Sequence, residues 1–367
     1  MGIALDEIKQ RLSRFAEVEA AGSSPLYAHL AAKAAEDDEV AGLLAAAPAG
    51  EARANLLLAA AHRLIQADPI HPLSRYYPTL GGFDGVDSET WPLFREFLLG
   101  RADKAKEIIG TRYTQTNEVR RAALLYPAVA AAAKAAGGKI ALLEVGCSAG
   151  LLLGLDRYGY RYQCDGGEQL VAGPAKTPLG LHCALELAEG AMAPKLPKKL
   201  TIAAKAGLDR MPVDAADEDE LAWLEACVWA DQPDRIRLLR TAAAAQRKDV
   251  PELITGDAVD DLAATAARLP ADLPLVVLTS HLLPYLEEPR RAAFVEAVAA
   301  LAADRPLWWV SEEAYDVGLK YVLPGRDDLV FRGESTLGLV HWAGGKADAK
   351  ALARTAPHGQ RMEWLAG

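Results

Sequence analysis

Apolar positions recur with helical spacing through the first third of the chain. Leu5, Ile8, Leu12 and Phe15 fall on one helix face. Ser24-Pro25 reads as the start of a second helix, with proline in its first turn. Glu51 to Ala67 reads as a third, ended by Asp68-Pro69. An irregular stretch rich in Pro, Gly and Tyr runs from Ile70 to Ser88. Trp91 to Leu99 and Ala102 to Ile109 read as short helices. Thr116 is placed to cap a longer one running to Ala136, with Leu124, Leu125, Ala128, Val129 and Ala132 inward, and Gly137-Gly138 stops it. No strand pattern precedes residue 139.

At Lys139 the period changes. Ile140 to Val145 is a short, almost wholly apolar run followed by glycine, the pattern of a strand buried on both faces. Similar runs lie at Leu200 to Ala204, Glu252 to Thr255, Leu275 to Thr279 and Leu307 to Val310. Helical segments separate them, one opened by Asp231-Gln232-Pro233 and another by Pro289. Strand alternating with helix predicts a parallel α/β sheet with right-handed crossovers. Leu329 to Phe331 and Gly338 to Trp342 then suggest an antiparallel pair, giving seven strands. The expected organisation is an all-helical N-terminal cap domain over 1–136 and an α/β domain over 137–367, with an insertion at about 158–199.

Composition narrows the class. The chain has 367 residues, 51% hydrophobic and 25% charged, as a globular protein does. Fifty acidic against forty basic residues give a net charge of −10, which disfavours a nucleic-acid partner. The basic clusters at Lys195/Lys198/Lys199 and Arg235/Arg237/Arg240 read as solvated surface. Cysteines at 147, 164, 183 and 227 form no CxxC pair, and no metal site is expected. Charges throughout Met1 to Ala21 argue against a signal peptide, and no apolar run is long enough to span a membrane. A cytoplasmic protein acting on a small molecule, with no membrane partner, is expected. Oligomeric state is not legible.

The chemistry concentrates after the first strand, in Glu144-Val145-Gly146-Cys147-Ser148-Ala149-Gly150, before an apolar helix from Leu151 to Asp156. A glycine-rich turn between strand and helix lets a ligand approach the backbone and aims N–H groups at it. As E-x-G-x-S-x-G the segment resembles the first motif of class I S-adenosyl-L-methionine (SAM)-dependent methyltransferases, with Ser148 in place of the middle glycine. As G-x-S-x-G it is also a formal nucleophile elbow, which would make Ser148 a hydrolase nucleophile with a later acid and His341 or His358. An elbow serine needs several strands before it, and 139 largely helical residues precede this strand, so the cofactor reading is preferred. A third reading keeps SAM or nucleotide binding without catalysis.

On that reading Glu144, Gly146, Cys147, Ser148, Ala149 and Gly150 cradle SAM. A carboxylate ending the second strand should take the ribose hydroxyls. Asp209 is preferred, with Asp165 the alternative, because the Tyr160/Tyr162 alternation suits a hairpin better. Asp257 and Ala258, after the third strand, stand where adenine would lie, although an N-cap is the plain structural use of either aspartate. Thr279 ends the fourth strand, followed by His281 as candidate base and Tyr285 as a substrate-orienting group. Glu312 and Glu313 follow the fifth, and Glu313 is a candidate for a substrate amine. Tyr113, Asn117, Arg120 and Arg121 are further substrate candidates. Asn117 and Arg121 share a helix face at i, i+4, and Arg121 can pair with a carboxylate of SAM or of the substrate.

Ser-Pro-Leu-Tyr-Ala (24–28), Thr-Asn-Glu-Val-Arg-Arg (116–121), Leu-Leu-Glu-Val-Gly-Cys-Ser-Ala-Gly-Leu (142–151), Asp-Arg-Tyr (156–158), Trp-Leu-Glu-Ala-Cys-Val-Trp (223–229) and Pro-His-Gly with Glu-Trp-Leu (357–365) together resemble a bacterial family, domain of unknown function 2332. The resemblance runs nearly end to end. It implies a Rossmann-like class I methyltransferase core, a mostly parallel seven-stranded sheet ending in an antiparallel hairpin. Leu152-Leu153 departs from the expected Asn-bearing helix start.

Overall fold

A computed structural model describes residues 3–366. The chain forms two compact units, one of residues 1–116 with 215–239 and one of 117–214 with 240–367.

The first unit is helical. It holds α1 (Leu5–Arg14), α2 (Pro25–Glu36), α3 (Asp38–Gly42), α4 (Ala54–Gln66), α5 (Thr90–Leu99) and α6 (Ala102–Thr111). Ser24 caps α2 by accepting the Tyr27 N–H at 3.2 Å, beside the proline expected there. Its core gathers Ile8, Leu12, Tyr27, Leu57, Ile65, Phe94 and Phe97. The chain returns to this unit for α8 (Glu218–Cys227), which packs on α4, and for the start of α9 (Pro233–Gln246). His62 shows how that return is fixed: fully buried, its Nδ1 lies 3.1 Å from the carbonyls of both Ala226 and Val228.

The second unit starts with α7. Thr116 is exposed and does not cap it. Instead the Glu118 carboxylate accepts the Arg120 N–H, a 3-10 turn covers Val119–Arg121, and α7 runs Ala122–Ala135. One sheet follows, of eleven strands: β1 (Lys139–Val145), β2 (Gly159–Cys164), β3 (Gln169–Ala172), β4 (Gly180–Leu187), β5 (Thr201–Asp209), β6 (Glu252–Thr255), β7 (Leu275–Ser280), β8 (Leu307–Glu313), β9 (Ser335–Ala343), β10 (Lys346–Thr355) and β11 (Arg361–Trp364). Helices α10 (Leu262–Ala266) and α11 (Glu288–Ala300) belong to the crossovers.

The order is β3-β2-β4-β11-β10-β9-β8-β7-β1-β5-β6. The stretch β6-β5-β1-β7-β8 is parallel throughout and contains the five runs read from the sequence. Along β1, Ala141, Leu143 and Val145 join Phe294, Val295 and Val298 of α11 on one face, while α7 lies against the same sheet. Cover on both faces explains the unbroken apolar run.

The expected count of seven strands is corrected to eleven. The segment 158–199 supplies β2, β3 and β4, which extend the sheet at its far edge instead of forming a separate insertion. The Tyr160/Tyr162 pattern does mark a hairpin: β2 pairs antiparallel with β3, Tyr160 opposite Ala172. The terminal antiparallel pair is β9–β10, not 329–331 with 338–342. Its turn is Gly344-Gly345, both with positive φ, as two-residue hairpin turns prefer. No helix among the described residues is long and apolar enough to cross a membrane.

Candidate functional site

Register assembles the site. Val145 at the end of β1 sits opposite Leu208 of β5 and Thr279 of β7. The loop after β1, the carboxylate ending β5 and the loop after β7 therefore emerge level. Strand order reverses direction between β1 and β7, so this edge is the topological switch point of the parallel half, where open α/β sheets bind ligands. Asp209 ends the strand beside β1. Asp165 follows β2 on the opposite side of the sheet, away from this loop.

The first loop is tied down at nearly every residue. Gly146 has φ 78°, and a side-chain carbon there would meet Leu282 of the next loop at 3.0 Å. Ser148 N–H donates to Asp209 Oδ2 at 2.8 Å, and Met211 N–H to Asp209 Oδ1 at 2.9 Å. Asn117 Nδ2 donates to Ser148 Oγ at 2.7 Å. Gln246 Nε2 donates to the Ala149 carbonyl at 2.8 Å. The helix after the loop is a 3-10 helix, Leu151–Arg157, rather than an α-helix.

The second loop carries the strongest polar network. Ser148 (φ 49°) and His281 (φ 56°) are the non-glycine residues with positive φ among the described residues, one in each loop. Such strain persists only where surroundings over-determine it, and it clusters at functional sites. His281 N–H donates to the Glu312 carbonyl at 3.1 Å. Its Nδ1 lies 3.3 Å from Arg121 Nη2, and its Nε2 lies 3.3 Å from the Glu312 carboxylate and 3.2 Å from Ser335 Oγ. A guanidinium only donates, so Nδ1 is the acceptor and Nε2 bears the proton directed at Glu312. Ser280 Oγ and Thr355 Oγ1 donate to the two Glu312 oxygens at 2.7 and 2.9 Å.

The buried carboxyls differ in charge. Burial alone would raise Glu312, but His281, Arg121 and the Ser280 hydroxyl outweigh it and hold the group below its usual range. Glu313 is pushed up to about 8, chiefly by burial, with the adjacent Glu312 charge adding to it; its Oε1 accepts the Leu282 N–H at 3.0 Å while its Oε2 is buried without a hydrogen-bond partner. Glu144 is raised well above the ordinary range by burial and by Asp209, and its Oε2 likewise has no partner. Burial, with Glu144 and Asp209, also raises the Cys147 thiol, which suits packing rather than nucleophilic attack.

The other expected residues stand as follows. Asp257 turns its Oδ1 to the N–H groups of Val259 and Asp260 and pairs with Arg290, capping a turn in which Ala258 is buried. Thr279 is fully buried and accepts the Trp309 indole N–H at 3.1 Å. Tyr285 sits in a 3-10 turn, 63% exposed. Tyr113 belongs to the helical unit, where its carbonyl accepts the Trp223 indole N–H at 2.9 Å. Arg120 lies in the 3-10 turn before α7, its backbone against Gly359. His341, one hydrolase candidate, stacks on Trp308 at 4.5 Å. It pairs across β8 and β7 to the level of Leu142, three positions and about 10 Å short of the end of β1 at ~3.3 Å per residue, while Ser148 lies beyond that end. His358 lies in the β10–β11 turn, its Nδ1 3.8 Å from Glu118. Missed in the sequence were Gln246, Ser335 and Thr355, which carry no local motif and meet the loops only through the sheet.

The second unit is thus a mixed α/β protein with a polar cluster at the switch point of its parallel strands. Residues 9–364 match a bacterial family described as an uncharacterized protein conserved in bacteria (DUF2332), and the chain belongs to that family. No curated protein and no solved structure matches it.

Proposed function

We propose that this chain binds SAM across the loops after β1 and β7 and transfers its methyl group to a small molecule. One observation carries the reading: Asp209 reaches from β5 into the glycine-rich loop after β1, at the switch point. Each Asp209 oxygen accepts one backbone N–H, and each carboxylate oxygen has room for a second donor, so the paired ribose hydroxyls fit. Glu144 Oε2 is a buried atom lacking a partner, which an ammonium group would supply. The donor set therefore fits SAM, with Glu144 and Gly146–Gly150 holding it alongside Asp209. When bound, SAM supplies an electrophilic methyl on a sulfonium.

The chain's own residues position the acceptor and accept its proton. An acceptor O–H or N–H must lose a proton on methylation, and a positioned imidazole is suited to take it. His281 is held through Nε2–H on Glu312, and its Nδ1 takes the proton once the 3.3 Å contact with Arg121 Nη2 is given up, the Glu312 charge then stabilising the imidazolium. Titration calorimetry with SAM and S-adenosylhomocysteine tests the reading. Wild type binds both saturably, and Asp209→Asn, shown folded by its melting curve, binds about tenfold more weakly, ~1.4 kcal/mol. Failure of wild type to bind either ligand overturns it.

A further inference from the structure

We infer that Arg121 is the receptor for a carboxylate on the bound small molecule, held end-on beside His281. Arg121 is only 5% exposed, yet no carboxylate lies within ion-pair distance of it among the described residues. The structure gives it two partners: Nε donates to the Pro357 carbonyl at 2.9 Å, and Nη2 to His281 Nδ1 at 3.3 Å. Other arginines of the chain are better supplied while being more exposed. Arg112 reaches Asp219 and Glu220, both at 2.5 Å, and Arg354 and Arg361 share Glu334.

A buried carboxyl can shed its charge by taking a proton, but a guanidinium keeps its charge at any ordinary pH. The ionised Glu312 shares its field with Arg121, but no neighbouring carboxyl bonds the guanidinium directly. Glu312 already receives Ser280, Thr355 and His281. Glu144 and Glu313 favour their neutral acids. A directly bonded carboxylate therefore has to come from outside the chain.

Geometry selects its chemistry. The Pro357 bond occupies Nε–H, which closes the side-on approach through Nε and Nη. Both Nη1 hydrogens and one on Nη2 remain for a bidentate anion. Two oxygens on one carbon match this fork. The carboxylate has two possible sources, the amino-acid end of SAM or the methyl acceptor. The first of these rests on the SAM reading above, whereas the receptor itself does not.

The test uses the full chain with acetate as probe and acetamide as its neutral isostere, at ionic strength held constant with chloride. Acetate raises the wild-type melting temperature saturably and acetamide does not. Arg121→Lys and Arg121→Gln lose the effect. Should neither variant fold, nuclear Overhauser contacts from the methyl of labelled acetate to the His281 ring in wild type carry the test. Acetate that does no more than chloride, variants that respond like wild type, or contacts to other residues in place of His281 overturn the inference. The source is read by competition. Acetate displacing S-adenosylhomocysteine but not methylthioadenosine, which lacks the amino-acid end, assigns the carboxylate to the cofactor. Acetate binding beside S-adenosylhomocysteine with unchanged affinity assigns it to the acceptor. If neither nucleoside binds, the SAM reading fails while the acetate arm still decides on Arg121.

Discussion

Arg354 and Arg361, on the mixed half of the sheet, are each about one-third exposed and share the Glu334 carboxylate. Arg121, at the carboxyl edge of the parallel half, is buried and meets a carbonyl oxygen and an imidazole nitrogen. The same residue type thus faces opposite conditions in one sheet. The Glu334 carboxylate is matched by both arginines, which lie partly in water that screens them, so this cluster asks for nothing from outside the chain. Buried charges are costly unless paired and hydrogen-bonded, and a guanidinium held without a directly bonded carboxylate points to function. Glu144 and Glu313, with buried oxygens lacking partners, sit at the same edge as Arg121.

The largest expected effect comes from the β10–β11 turn, which packs on the Arg120 backbone. Gly359 has φ 75°, and a side-chain carbon there would lie 2.4 Å from the backbone of Arg120. Gly359→Ala adds both a left-handed strain and a backbone clash, and is expected to cost about 3 kcal/mol in urea unfolding. A loss below about 1 kcal/mol would mean that this turn does not fix the Arg120–Arg121 backbone.

Glu313 sharpens the contrast through pH. Its folded carboxyl titrates near 8, whereas an ordinary glutamate titrates near 4.5. Between those values the native protein keeps a proton that the unfolded chain releases. The stability this group contributes is therefore complete below pH 4.5 and is lost as pH rises through 8. The slope is at most about 1.4 kcal/mol per pH unit. Glu313→Gln should flatten the pH dependence of unfolding in that window and stabilise the protein at neutral pH by ~1–2 kcal/mol. An unchanged slope would show that Glu313 titrates normally.

The smallest effect belongs to the paired half. Arg354→Ala should change stability by less than about 1 kcal/mol, and less still in high salt. A loss of several kcal/mol would erase the distinction between the two halves.

The parallel half was legible because burial on both faces leaves nothing but apolar residues in its strands. Ile140 to Val145 and Leu275 to Thr279 needed no context to be read. Strands β4 and β10 were not, since exposed residues alternate along β4 and fill the first half of β10, which weakens their apolar signal. The Gly344-Gly345 turn was a readable hairpin signal that the apolar run at Leu329 to Phe331 obscured. In the site, the glycine loop and His281 stood out by position after strands. The pairing of Arg121 with His281 spans 160 positions and that of Glu312 with Thr355 spans 43, so only the sheet order reveals them. Asp257 shows the converse, a well-placed aspartate that caps a turn and pairs with Arg290.

Hydrogen exchange of the wild-type protein with and without S-adenosylhomocysteine tests the central claim most directly. Bound ligand should slow amide exchange at Gly146–Gly150, Asp209 and His281–Leu282 together, because the three segments form one edge. Protection confined to other segments, or no change at saturating ligand, would contradict the account.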